Sequence, residues 1–153
     1  MNVNIRFVRN PPFLYFNFIP KYSMEFFRVI HQTCTEADIQ HQISLEHLEN
    51  YSTQLFPLQE PKDSSVYIGS LWGEFSLLRT KINGGVRFAL LECPNALCWT
   101  ITTGQAPVPE DVVIHLTINR TKKDQEFIDE IEEFLDDHQK MLNENFKQIE
   151  LNS

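Results

Sequence analysis

The chain has 153 residues, 42% of them hydrophobic, and a formal net charge of −8. That length fits a single domain, which buries roughly two-thirds of its unfolded surface. Twelve phenylalanines spread along the chain exclude a disordered reading. The acidic balance argues against nucleic acid as a partner, because phosphates are met by lysine and arginine. The charge is also unevenly placed: Thr121 to Glu150 carries ten acids against four lysines, net −6, and the remainder only −2. Cys34, Cys93 and Cys98 make an odd count, which suits a reducing compartment better than a disulfide framework. Met1 to Arg9 reads as strand rather than signal peptide, and no run reaches the ~18 apolar residues of a membrane span. The expectation is a soluble cytoplasmic protein without a membrane partner.

In chain order, Asn2 to Val8 alternates weakly and Asn10-Pro11-Pro12 interrupts it. Phe13 to Ile19 is an almost continuous apolar run, expected as a strand covered on both sides. Ser23 is a candidate N-cap for a short helix carrying Phe26, Phe27 and Ile30. Thr35 with Asp38 reads as a capping box that uses Asp where Glu or Gln is usual. Ser44 is a candidate cap for a further helix turning Leu45, Leu48, Tyr51 or Leu55 inward. Pro57 to Ser65 is polar and Pro-containing, hence loop.

Val66 to Asn119 has the signature of an antiparallel meander. Gly69 and Gly73 mark either a hairpin turn or bulges within one bent strand. A three-residue loop at Asn83-Gly84-Gly85 would pair Ile82 with Val86, Thr80 with Phe88 and Leu78 with Leu90. That register keeps one face almost purely apolar, whereas a two-residue loop sets Arg79 opposite Phe88 and Lys81 opposite Val86. The three-residue loop is therefore expected, although it places Lys81 against Arg87. Pro94-Asn95 is a turn pair. Leu97, Trp99 and Ile101 then share one face, and Val112, Ile114, Leu116 and Ile118 share one face after the Pro107 and Pro109 loop.

A helix is expected from Lys123 to Ile149, roughly 40 Å long. Phe127, Ile128, Ile131, Phe134, Leu135, His138, Met141, Leu142, Phe146 and Ile149 form its apolar arc. Glu126, Asp129, Glu130, Glu132, Glu133, Asp136 and Asp137 are expected on the opposite side. Strand, short helices, meander and long terminal helix make an α+β single domain over residues 1–153. In element order this resembles the helix-grip arrangement of hydrophobic-ligand binders.

Candidate chemistry is sparse. Glu126–Glu130, Asp129–Glu133 and Glu133–Asp137 are like-charge pairs one turn apart, each unfavourable by roughly 0.2–0.5 kcal/mol. Charge runs of this kind usually form a solvated face; the functional alternative is docking onto a basic protein through Glu126, Asp129, Glu130, Glu133, Asp136 and Asp137. Arg79, Lys81 and Arg87 are expected at one end of the outer sheet face. Leu77, Ala89, Leu91, Cys98, Thr100, Val113, His115 and Thr117 would lie further along it, beneath the N-terminal helices. His31-x-x-Cys34 has a spacing a metal could use, but no second convergent pair accompanies it, so no metal and no cofactor are expected. His138 in the apolar stripe reads as a core histidine. Cys93 and Cys98 flank a turn without a histidine placed to activate them, and no catalytic residue is assigned.

The function expected from these features is non-enzymatic protein binding. Its most specific form is an acidic bacterial inhibitor or immunity protein that neutralises a basic toxin such as a nuclease, acting as monomer or homodimer. The alternatives are a helix-grip-like carrier of a small hydrophobic ligand, which needs a hollow between the terminal helix and the sheet, and a secretion chaperone, which needs an exposed apolar patch.

Overall fold

A computed structural model describes residues 6–9, 22–119 and 124–152. Eight antiparallel strands form one sheet: β1 (Arg6–Arg9), β2 (Tyr22–Ile30), β3 (Phe56–Pro57), β4 (Ser65–Ser70), β5 (Gly73–Ile82), β6 (Gly85–Leu91), β7 (Cys98–Thr103) and β8 (Val112–Ile118), in the order β1-β2-β8-β7-β6-β5-β4-β3. Helix α1 (Glu36–Gln42), a 3-10 helix over Leu45–Asn50 and the long helix α2 (Gln125–Asn152) complete the chain. The α+β expectation, with a long terminal helix laid on a meander, holds. The strand expected over Phe13 to Ile19 lies outside the described residues.

The segment after Ser23 corrects the sequence reading: it is strand β2, not a short helix. Its burial alternates strictly, with Met24, Phe26, Arg28 and Ile30 inward. Seven residue pairs join it to β8, from Met24 opposite Ile118 to Ile30 opposite Val112. The alternation is masked in the sequence because an arginine holds an inward position while Phe27 and Val29 face outward. Phe27 is not wasted there, since it stacks flat on His115 of β8 at 4.4 Å between ring centroids.

Gly69 and Gly73 belong to a true hairpin, with Ser70 opposite Gly73. The next hairpin also differs from expectation. Ile82 pairs with Gly85, so Asn83-Gly84 is a two-residue loop, and Lys81 faces Val86, Arg79 faces Phe88 and Leu77 faces Leu90. Two facts override the apolar-face argument. A Cβ on Gly85 would stand 2.0 Å from the Ile101 carbonyl oxygen, so the glycine is needed where the strands meet. The inward Arg79 is also solvated by protein: its guanidinium donates to the Ile43 carbonyl at 2.6 Å and to the Gln40 carbonyl. Those are orphaned carbonyls at the C-terminal end of α1, a natural seat for a cation. Thr80, not Lys81, then faces Arg87, and the expected like-charge pair does not form.

α1 begins with the expected capping box: Asp38 N donates to Thr35 Oγ1 at 3.1 Å and Thr35 N to Asp38 Oδ2 at 2.8 Å. Its polar side chains tie it to the β5–β6 turn, where Gly84 N donates to Glu36 Oε2 and Gln40 Nε2 donates to the carbonyls of Ile82 and Gly85. Ser44 makes no side-chain cap, yet Leu45, Leu48, Tyr51 and Leu55 are all buried as expected. Both short helices therefore lie on the inner face, against β6 and β7 and beside α2, rather than on the outer face where they were expected. No described element covers the outer face. Leu77 and Arg79 belong to the inner side, and Ala89, Leu91, Cys98, Thr100, Val113, His115 and Thr117 keep their outward places.

The inner face supplies the core. Val66, Ile68, Leu77, Phe88, Trp99, Ile101, Ile114 and Leu116 meet Phe127, Ile131, Phe134, Leu135, Leu142 and Phe146 of α2. Full burial of each such side chain stabilises by roughly 1.5–3 kcal/mol.

Candidate functional site

The helix-to-sheet seam is built by the residues on either side of the apolar stripe. At 3.6 residues per turn, positions 132, 136, 139 and 143 fall on one flank of α2 and positions 130, 133 and 137 on the other. The first flank bonds to β2. Arg28, 3% exposed, donates its Nε to Asp136 Oδ1 at 3.0 Å and its Nη2 to Glu132 Oε2. Gln139 Nε2 donates to the Val29 carbonyl at 2.8 Å, and Gln32 Nε2 to Asn143 Oδ1 at 3.3 Å. The second flank bonds to the segment after the 3-10 helix and to the β4–β5 turn. Asp137 accepts from Thr53 N at 2.9 Å, Thr53 Oγ1 and Ser52 Oγ; Glu133 accepts from Gln54 Nε2; Glu130 accepts from Trp72 Nε1 at 3.1 Å.

These contacts place the six residues offered as a docking surface. Glu130, Glu133, Asp136 and Asp137 are bonded to other elements of the same chain. Asp129 takes a bond from Gln125 one turn earlier, and Glu126 is exposed. The acids thus lie largely on the flanks of the apolar stripe rather than on a single opposite face. The 28 residues of α2 carry them at positions where, beyond the first turn, repulsion along the helix is offset by donors from neighbouring segments.

Where the far end of β2 meets the second half of α2 lies an open surface cleft of about 650 Å3, its two walls joined by the Gln139–Val29 and Gln32–Asn143 bonds. Val29, Ile30, His31 and Gln32 form one wall, and Asp136, Gln139, Lys140, Asn143 and Lys147 the other. The aliphatic stems of the two exposed lysines add apolar surface to that wall.

Under the middle of α2 lies a cluster of rings. Phe134, Trp99 and Tyr51 surround His138 at centroid distances of 4.7, 5.7 and 5.8 Å, and Phe88 stacks on Trp99 at 5.2 Å. His138 is completely buried, and among the described residues neither ring nitrogen has a hydrogen-bond partner; Trp99 Nε1 has none there either. Burial pulls the His138 imidazole down to about 4, against a small opposing pull from Asp137, so the ring is neutral at pH 7. Tyr51 is better satisfied, its hydroxyl donating to the Ser44 carbonyl at 2.5 Å, and burial pushes its ionisation up. Leaving a buried donor or acceptor unpaired costs roughly 1–3 kcal/mol, so the concentration of three such atoms in one cluster is unusual.

The remaining candidates do not converge. His31 Nδ1 engages Asp111 Oδ2 at 3.1 Å. Burial pushes the Cys34 thiol up to about 11, with the Asp38 charge adding to it, which opposes the thiolate a metal would need. Among the described residues no three His, Cys, Asp or Glu side chains gather as a metal site. Cys98 Sγ lies 3.1 Å from Thr117 Oγ1 on the outer face, whereas His138 is buried on the inner one. His115 Nε2 is 3.4 Å from Glu25 Oε1 without a well-formed hydrogen bond, and burial is the main reason its basicity falls.

No protein-family model matches the chain, and no curated protein matches it. Among solved structures, a START superfamily protein from Mycobacterium smegmatis superposes with a TM-score of 0.53 at 12% identity, covering 83% of this chain and 98% of that one. The fold is the helix grip. Human StAR-related lipid transfer protein 5 gives a TM-score of 0.46 at 13% identity over 97% of this chain and 83% of that one, and adds nothing to the assignment. At these identities the likeness is one of fold. Among the described residues no helix is long and apolar enough to cross a membrane.

The flank contacts, the cleft and the orphaned nitrogens were missed by sequence reasoning. The one signal available was His138 itself, a polar residue at a core position of the helical repeat.

Proposed function

We propose that the chain is a non-enzymatic carrier of a small, mainly apolar molecule, taken up where the long helix meets the sheet. The observation that supports this best is the cleft of about 650 Å3 between β2 and α2, within the roughly 300–1,000 Å3 usual for small-molecule sites. It lies in the seam of the grip, where a ligand contacts both the sheet and the helix. The START superfamily likeness is consistent with a binding role. Nothing in the geometry or the comparisons supports the acidic-inhibitor reading, since four of its six acids are already engaged within the chain.

The test is binding of an apolar fluorescent probe to the folded protein, compared with Asn143→Trp. A tryptophan at that position fills the cleft, and melting of the variant checks that it folds. The expected result is saturable probe binding that weakens at least about tenfold in the variant, a loss of roughly 1.4 kcal/mol. Absence of probe binding, or equal binding by both proteins, contradicts the assignment.

A further inference from the structure

We propose that the β2–α2 cleft takes an amphiphile with an anionic head, clamped by Lys140 and Lys147, its tail lying against Val29 and the lysine stems. The inference rests on the carrier reading above and concerns which class of ligand the cleft holds. Helix α2 carries nine acids and two bases, and both bases, Lys140 and Lys147, line this cleft. They stand seven residues apart, so they share one side of the helix about two turns, roughly 10 Å, from each other. The cations of α2 are thus gathered at one place.

Neither lysine is matched within the described chain. Among the described residues no ion pair includes Lys140 or Lys147, although Glu144 lies within a helical turn of both. Asp136 is the one carboxylate in the lining, and the buried Arg28 already donates to it at 3.0 Å. His31, the remaining ionisable group of the cleft, engages Asp111. The Val29 carbonyl is taken by Gln139. Asn143 stands between the two lysines; its oxygen accepts from Gln32, and its amide nitrogen has no partner among the described residues. Two ammonium groups and an amide N–H pair are therefore left to donate, which suits the oxygens of a carboxylate or phosphate.

Charge and surface together narrow the ligand. With a net charge of −8 the chain as a whole repels anions, so a preference for an anionic head has to come from cations at the cleft itself. A small anion alone gains little there, because attraction to exposed lysines is weak and screened by salt. An attached tail that covers Val29 and the lysine stems removes apolar surface from water and supplies the rest. Carboxylate and phosphate heads share this chemistry.

The experiment uses the full chain and four ligands that share a decyl-length tail: decanoate, decyl phosphate, 1-decanol and decyltrimethylammonium. Displacement of Nile red, an uncharged apolar dye, gives relative affinities, and the lysine Cε resonances report which side chains the head meets. The better of the two anions is expected to bind at least about tenfold more tightly than the cation, and which anion wins identifies the head. It should also shift the Lys140 and Lys147 resonances. In the double variant Lys140→Gln, Lys147→Gln its affinity should fall at least about fivefold, while that of decanol stays within about twofold. Lys62→Gln with Lys81→Gln removes the same charge at exposed positions elsewhere and should leave the ratio of anion to decanol affinity unchanged. Melting of each variant checks that it folds.

If the four ligands displace the dye alike, or the control variant loses as much anion affinity as the cleft variant, the clamp is wrong and the carrier reading survives. Equal lysine shifts with acetate or inorganic phosphate at the same concentration would mean a surface anion site only, and also overturn the clamp. If none of the ligands displaces the dye, the carrier reading fails and the clamp falls with it.

Discussion

The flanks of α2 and the stripe between them treat polar groups in opposite ways. On the flanks, acids and amides that look costly in sequence are matched by partners: donors from Arg28 of β2, from Ser52 to Gln54 and from Trp72 for the acids, and the Val29 carbonyl for the Gln139 amide. In the stripe, where apolar residues would be cheapest, His138 is retained without a partner for either nitrogen among the described residues. The difference separates two jobs: the flanks fix where the helix lies, and the stripe carries a group whose cost is not recovered within the described chain. Charge density on the surface of a helix is therefore a poor guide to function here, and the groups left unmatched are a better one.

The largest effect should come from breaking the flank at its most buried point. Glu132→Ala leaves Arg28, whose side chain is only 2% exposed, with Asp136 as its remaining acid, and should destabilise the fold by about 3 kcal/mol in urea unfolding. A loss below about 1 kcal/mol would show that the flank is an ordinary surface pair.

The stripe predicts a dependence on pH of similar size. The folded-state value of His138 is lowered to about 4, so between pH 6.5 and 4 the unfolded chain binds a proton that the folded chain does not. Stability should thus be retained above the unfolded pKa and fall as pH drops through that window, by up to about 3 kcal/mol. Unfolding measured across the window in wild type and His138→Leu isolates this contribution, because the carboxylates are common to both. Parallel pH curves would contradict the assignment of a neutral buried ring.

At pH 7 the same His138→Leu substitution should raise stability by about 1–2 kcal/mol, the cost of orphaned polar atoms less some loss of ring packing. A decrease would place His138 among the matched groups and erase the contrast. Asp137→Ala should cost about 1–2 kcal/mol, since water can replace the acceptor at the exposed Thr53 but the buried Ser52 hydroxyl loses its own. Asp129→Lys, at an exposed position bonded among the described residues to its neighbour Gln125, should change stability by less than about 0.5 kcal/mol.

Much of this architecture is readable from residue order. The strands from Leu97 to Ile118 show a clean two-residue period because one face meets the core and the other does not. Thr35 and Asp38 announce a helix start through local chemistry alone. The failures share one cause: a cation on the inner face whose partners are distant in sequence. Arg28 disguises β2 as something other than a strand, although Glu132 and Asp136, more than a hundred residues later, make that position acceptable. Arg79 spoils the apolar face of β5, although α1 supplies carbonyls to receive it. The acids of α2 read as a solvated face for the complementary reason, that their donors sit on other elements. The cleft is a matter of how β2 and α2 lie against each other, and no residue pattern encodes that directly.

The central claim is that the seam of the grip holds a small molecule. Native mass spectrometry of the protein isolated without denaturation from the cells that make it addresses this directly. The expected spectrum contains a population heavier than the chain by the mass of one small apolar ligand, lost on denaturation and depleted in Asn143→Trp. A spectrum showing only the bare chain, with the same result after incubation with decanoate, would contradict the account.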